Sequence, residues 1–166
     1  MKNKIVLKMT ISSMFIAITY LLTTFASIPF PSGNGYINFG DAIILLSSIV
    51  LGPFYGAFIG SVAGALADLS LGGFLFIPFT IIAKAGEALI SGLLHKVFPS
   101  FLSWLAYSIG ALWMIAIYFL CYLFLYGNAA LIGSLFDLVQ GTIGVIMAIV
   151  LEKIYLKIYK TNVSNT

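Results

Sequence analysis

Thr80, Lys84, Glu87, Ser91 and His95 fall at i, i+4, i+7, i+11 and i+15 within an apolar stretch running from Phe79 to Val97. At helical spacing they form one polar stripe on an otherwise apolar cylinder. Two of them carry full charges. A charge near the middle of a membrane helix costs roughly 2.5–3.5 kcal/mol, and each large apolar residue returns only about 0.3–0.6. The stripe must therefore face protein or a watery cavity, and its chemistry is ion pairing and hydrogen bonding to a polar molecule.

Other segments carry matching groups. Gly133, Asp137, Gln140 and Gly144 share one helical face, and Asp68 continues the register of Gly52, Gly56, Gly60 and Gly64. Asn38 and Asp41 follow a turn-forming Gly33-Asn34-Gly35; Asp41 also suits the cap of a following helix. Asp41, Asp68, Glu87 and Asp137 set four carboxylates against the ammonium of Lys84. A low-dielectric cavity resists that excess, so some must be paired, wetted or protonated. Such a cavity favours a ligand with cationic or hydrogen-donating groups, and a polar aromatic heterocycle fits better than a carboxylate-bearing vitamin. Tyr118 and Tyr122 can stack on such a ring or bond within the bundle. Tyr126, one turn further out, suits the interfacial aromatic belt, as does Tyr36 unless it covers the site. Trp113 is open between packing and ligand contact. His95, beside Lys96, is expected to be a solvated loop histidine.

The elements that must position these groups are membrane helices. The chain has 166 residues, 61% hydrophobic and 8% charged, with a mean hydropathy of +1.13; this is the composition of an all-α integral membrane protein, not of a soluble domain. Six spans are expected in one domain covering 1–166: 8–28, 37–51, 54–70, 79–97, 101–126 and 130–155. With both termini in the cytoplasm, Lys2, Lys4, Lys8, Lys96, Lys153, Lys157 and Lys160 all lie inside, in accord with the positive-inside rule. The formal charge of +3 is thus a topology signal and not a nucleic-acid surface. At about 1.5 Å per residue, Lys84 lies about 9 Å and Glu87 about 13 Å below Pro78, and Asp137 about 10 Å below Ala130. The charged groups converge in the outer half of the bundle.

Several classes are excluded. No phosphate-binding loop, metalloprotease motif, cysteine pair or nucleophile elbow is encoded, so the chain is not expected to be an enzyme or to hold a metal or cofactor. Cys121 reads as a small core residue. The basic start and first apolar run resemble a signal peptide, but the run lacks a small-x-small cleavage site and is kept as a span. The glycine ridge of span 3 lets another helix approach backbone to backbone, and Ser13-Met-Phe-Ile-Ala17 is a further small-residue pair.

Four blocks carry a resemblance: Gly35-Tyr36-Ile37-Asn38-Phe39-Gly40-Asp41-Ala42; Leu51-Gly52-Pro53 with Gly56; Gly60-Ser61, Gly64 and Leu66-Ala67-Asp68; and Pro78, Thr80, Lys84 and Glu87. Together they resemble the substrate-binding S component of energy-coupling-factor (ECF) vitamin transporters, in the riboflavin, hydroxymethylpyrimidine and pyridoxine branch. The resemblance implies a six-helix subunit of the bacterial cell membrane that captures a vitamin or precursor from outside. It further implies docking on a membrane T subunit driven by two ATPases, which use the ATP, and toppling in the membrane so that the site opens inward. Ser13 and Ala17 then occupy the small-residue motif that contacts the T subunit, with Ser in place of the usual first Ala. Pyridoxine or hydroxymethylpyrimidine is preferred as ligand, with riboflavin as the third candidate. The rival is a self-sufficient secondary transporter in which Asp68, Glu87 or Asp137 relays protons.

Overall fold

The computed structural model describes residues 2–29, 36–127 and 130–164. Six helices account for most of the chain: α1 (Lys2–Phe25), α2 (Gly40–Val50), α3 (Pro53–Ser70), α4 (Ile77–Val97), α5 (Ser103–Tyr126) and α6 (Ala130–Ser164). Two short strands, β1 (Ile28–Pro29) and β2 (Tyr36–Ile37), pair antiparallel between α1 and α2, and a 3-10 turn (Ser100–Leu102) precedes α5.

Among the described residues, four stretches are long and apolar enough to cross a bilayer: Lys4–Phe25, Ile77–Val97, Ser100–Tyr126 and Ala130–Tyr159. The expectation of six full spans is met in part. The second segment was expected to be helical from residue 37, but Tyr36 and Ile37 are spent on the strand pair and the helix starts only at Gly40. At 11 residues, α2 reaches about 16 Å, half the roughly 30 Å of hydrocarbon. It has no need to reach further, because it packs against α1, α3, α4 and α6 at once. Its residues Gly40, Asp41, Ala42, Ile44, Leu45, Ser47 and Ser48 are all buried. The short helix is the axis of the bundle, and it carries Asp41 to the centre.

Large apolar side chains point outward and small or polar ones inward. Phe54, Phe58, Phe74, Leu112, Phe124, Leu131 and Leu135 are exposed, whereas Ala42, Ala63, Ala67, Ala83, Ala88, Ala106, Ser47 and Thr19 are buried. In a bilayer, lipid tails satisfy the large side chains, and helices associate through close packing of small ones. Cys121 is fully buried, as a small core residue should be.

The glycine ridge of α3 makes close helix contacts. Gly52, at φ 102°, turns the chain from α2 into α3, a conformation that favours glycine. A Cβ placed on Gly56 would lie 2.7 Å from the Cα of Ser48 on α2; on Gly60, 3.0 Å from the carbonyl oxygen of Lys84; on Gly64, 2.7 Å from Cγ2 of Thr80. The ridge thus seats α3 against both α2 and α4. Gly56→Leu is expected to force α2 and α3 apart and to cost about 1–3 kcal/mol or more. The check is the thermal midpoint of the purified variant; a wild-type midpoint would show this contact to be loose.

Candidate functional site

At the end of the bundle away from both termini, a cavity of about 530 Å³ opens among the ends of α1, α3, α4, α5 and α6. Its position follows from the chain's turns: Gly72, with a φ of 76°, and Gly73 bring the chain from α3 into α4 at the rim. Of the residues read from the sequence, Asn38, Asp68, Thr80, Lys84, Tyr118, Tyr122, Asp137 and Gln140 line it. Asp41 and Glu87 do not. They lie behind Lys84, fully buried, as part of the layer beneath.

That layer is a continuous polar network. Lys84 Nζ donates to Asp41 Oδ1 in a buried ion pair and lies 3.6 Å from Glu87 Oε2. Gln140 Nε2 donates to the other oxygen of Asp41 at 2.7 Å. The amide oxygen of Gln140 accepts from the backbone N–H of Asn38 at 3.1 Å and from its side chain at 3.2 Å. Asn38 Oδ1 in turn accepts from the N–H of Gly40 at 2.9 Å and from the Thr23 hydroxyl at 3.4 Å. Elements far apart in sequence are therefore tied together under the cavity. The proposed cap at Asp41 is corrected: α2 has no side-chain cap, and the Asp41 carboxylate points to Lys84 and Gln140 instead. Lys84 and Glu87, neighbours at i and i+3, are not a private pair, since the closer partner of Lys84 comes from α2.

One wall is aromatic. The rings of Tyr118 and Tyr122 lie 6.3 Å apart and 23° from parallel, and Phe76 meets Tyr122 edge-on at 6.0 Å. Tyr126 lines the cavity too, so its assignment to the membrane belt is corrected; it packs against Phe76 at 6.3 Å. The Tyr118 hydroxyl donates to Thr80 Oγ1 at 3.0 Å, and Lys84 Nζ stands 5.6 Å from the Tyr118 ring centre. The Tyr122 hydroxyl donates to Asp137 Oδ1 at 3.4 Å, while Asp137 Oδ2 is buried without a hydrogen-bond partner among the described residues. Trp113 is outside the cavity: its indole N–H bonds the Ile82 carbonyl at 3.2 Å and its ring rests on Gly86.

Ser13 and Ala17 are exposed on α1, away from the cavity. Tyr36 lies in β2, but its side chain falls outside the described residues, as do residues 30–35 of the covering loop. Sequence reasoning missed Thr23, Ser27 and Phe76 in the lining; none stands out by charge or spacing.

His95 is not a solvated loop residue. Its Nε2 lies 2.7 Å from Glu152 Oε1, and Ser103 Oγ lies 3.2 Å from that same nitrogen and 3.3 Å from the Glu152 oxygen. Tyr107 donates to Glu152 Oε2 at 3.0 Å. The polar stripes of α4 and α6 thus meet again at the opposite end of the bundle. A signal existed: Gly144, Ala148 and Glu152 extend the four-residue spacing of the Asp137 face. No group of three or more His, Cys, Asp or Glu residues able to hold a metal occurs among the described residues.

An aromatic wall above a hydrogen-bonding floor can hold a flat polar molecule. A solved S component of a bacterial ECF transporter superposes with a TM-score of 0.75 at 23% identity, covering 96% of this chain and 99% of that one. The family model described as "ECF-type riboflavin transporter, S component" matches residues 3–157. The chain belongs to this family of ECF S components, multi-pass membrane proteins of vitamin uptake, and is not an enzyme. The thiamine precursor transporter HmpT of Lactococcus lactis subsp. cremoris (strain MG1363) is 29% identical over 154 residues, covering 92% of this chain and 89% of HmpT. A protein of Pyrococcus woesei described only as an uncharacterized protein in a gap 3' region is 33% identical over 127 residues, covering 75% of this chain and 85% of that protein.

Proposed function

We propose that this chain is the vitamin-capturing subunit of an ECF transporter, with hydroxymethylpyrimidine or pyridoxine as the preferred ligand and riboflavin as the third candidate. The observation that carries the choice is the cavity, whose aromatic wall suits a flat ring and whose only lysine among the described lining residues is held by Asp41. HmpT, named for a thiamine precursor, adds support. In this proposal both termini are cytoplasmic, all six helices lie in the membrane, and the cavity faces outward. The chain docks on a membrane T subunit, and two ATPases supply the energy; this chain itself uses no cofactor.

Native mass spectrometry of protein purified without added vitamin is expected to show one co-purified heterocycle of this class. Uptake into vesicles should require the T subunit, the ATPases and ATP. Uptake by this chain alone, abolished by a protonophore and indifferent to ATP, would instead establish a self-sufficient proton-coupled transporter.

A further inference from the structure

We infer that Asp137 selects the ligand by its hydrogen-donating edge, so that the site accepts a neutral or cationic heterocycle and refuses its phosphorylated form. The inference rests on the vitamin-capture function proposed above and deepens it.

Two independent features of the cavity support it. The first is an acceptor without a donor. Asp137 is 2% exposed and belongs to the cavity wall, and its Oδ2 has no hydrogen-bond partner among the described residues. A buried carboxylate oxygen left unmatched costs on the order of 1–3 kcal/mol, more when charged. A ligand N–H or O–H placed there recovers that cost. Tyr122 sets the geometry: its ring forms part of the aromatic wall and its hydroxyl touches Asp137 Oδ1 at 3.4 Å. A flat ring lying along Tyr122 therefore presents its edge to the same carboxylate. An amino group beside a ring nitrogen, or a pair of hydroxyls, provides donors for that edge.

The second feature is a cation already committed. Lys84 would be the receptor for a phosphate or carboxylate, yet its ammonium donates to Asp41 and lies 3.6 Å from Glu87. Asp41 is itself held from the other side by Gln140 at 2.7 Å. An anion entering the cavity would have to draw Lys84 from this arrangement, and it would meet the carboxylates of Asp68 and Asp137 in the wall. Burying a charge without a partner is prohibitive compared with burying a neutral hydroxyl.

The test uses the full chain in nanodiscs and isothermal titration with hydroxymethylpyrimidine, hydroxymethylpyrimidine monophosphate, pyridoxine, pyridoxine phosphate and riboflavin. Wild-type protein is expected to bind an unphosphorylated compound at least about 100-fold more tightly than its phosphate. Asp137→Asn is expected to weaken that binding by about 10- to 100-fold, the worth of a hydrogen bond to a charged group, and to narrow the discrimination against the phosphate. Equal affinity for alcohol and phosphate, or a folded Asp137→Asn protein with wild-type affinity, would overturn the inference while leaving vitamin capture intact. The wild-type comparison tests the refusal of the phosphate even where the variant does not fold. Failure of every compound to bind would count against vitamin capture itself and the inference with it.

Discussion

Lys84→Ala should lose ligand binding and unfold earlier than the wild type, by about 3–5 kcal/mol, the usual consequence of stripping one partner from a buried ion pair. The ammonium stands between Asp41 on α2 and Glu87 on α4, both fully buried, and no other lysine lines the cavity among the described residues. Without it, the amide of Gln140 still donates to Asp41, but Glu87, whose two oxygens have no hydrogen-bond partner among the described residues, loses the cation 3.6 Å away. The wall of the cavity loses its shape in the same stroke, since Lys84 also stands against the face of Tyr118. A double variant, Lys84→Met with Asp41→Asn, is expected to regain part of the stability, because these two neutral groups need no mutual compensation and only Glu87 is left without its cation. It should not regain binding. Thermal midpoints and titrations of the three proteins check this. A single variant as stable as wild type would show that Asp41 and Glu87 are indifferent to their cation.

Ala17→Trp should leave vitamin affinity unchanged and prevent a complex with the T subunit from surviving purification. Ala17 is exposed on α1, one turn from the exposed Ser13, and is part of no cavity contact. The side of α1 that serves the cavity carries Thr19 and Thr23, which are buried. Small residues four apart let two helices approach closely, and a large ring between them holds the backbones apart. An intact purified complex containing the variant would place the docking surface elsewhere. Loss of vitamin binding as well would mean that α1 communicates with the cavity through its own packing.

Much of the site was legible because polar residues are conspicuous in an apolar chain. The stripes holding Thr80, Lys84, Asp137 and Gln140 could be read from spacing, and depth along each helix placed them at one level. What spacing does not carry is contact between elements. Lys84 and Glu87 are neighbours by helical geometry, yet the closest partner, Asp41, is 43 residues away in sequence and reaches Lys84 only because α2 lies at the bundle axis. The length of α2 was hidden for a related reason: Ile37 and Phe39 extend the apolar run, while the chain there forms a strand and a turn fixed by Asn38. Glu152 was overlooked because it precedes Lys153 at a basic helix end, where a charge normally meets water; Tyr107, Ser103 and His95 enclose it instead. Tyr126 shares the spacing of Tyr118 and Tyr122, and that register proved a better guide than its nearness to the interface.

The glycines of α3 bear on how the cavity can change sides. Where Gly60 faces the Lys84 carbonyl and Gly56 faces the Ser48 Cα, α3 puts no side chain of its own between the helices. A seam packed at this distance has little room for sliding. α2, α3 and α4 pack on one another as one plate, with the ion pair of Asp41 and Lys84 across it. A cavity backed by such a plate is ill suited to opening by the parting of these helices.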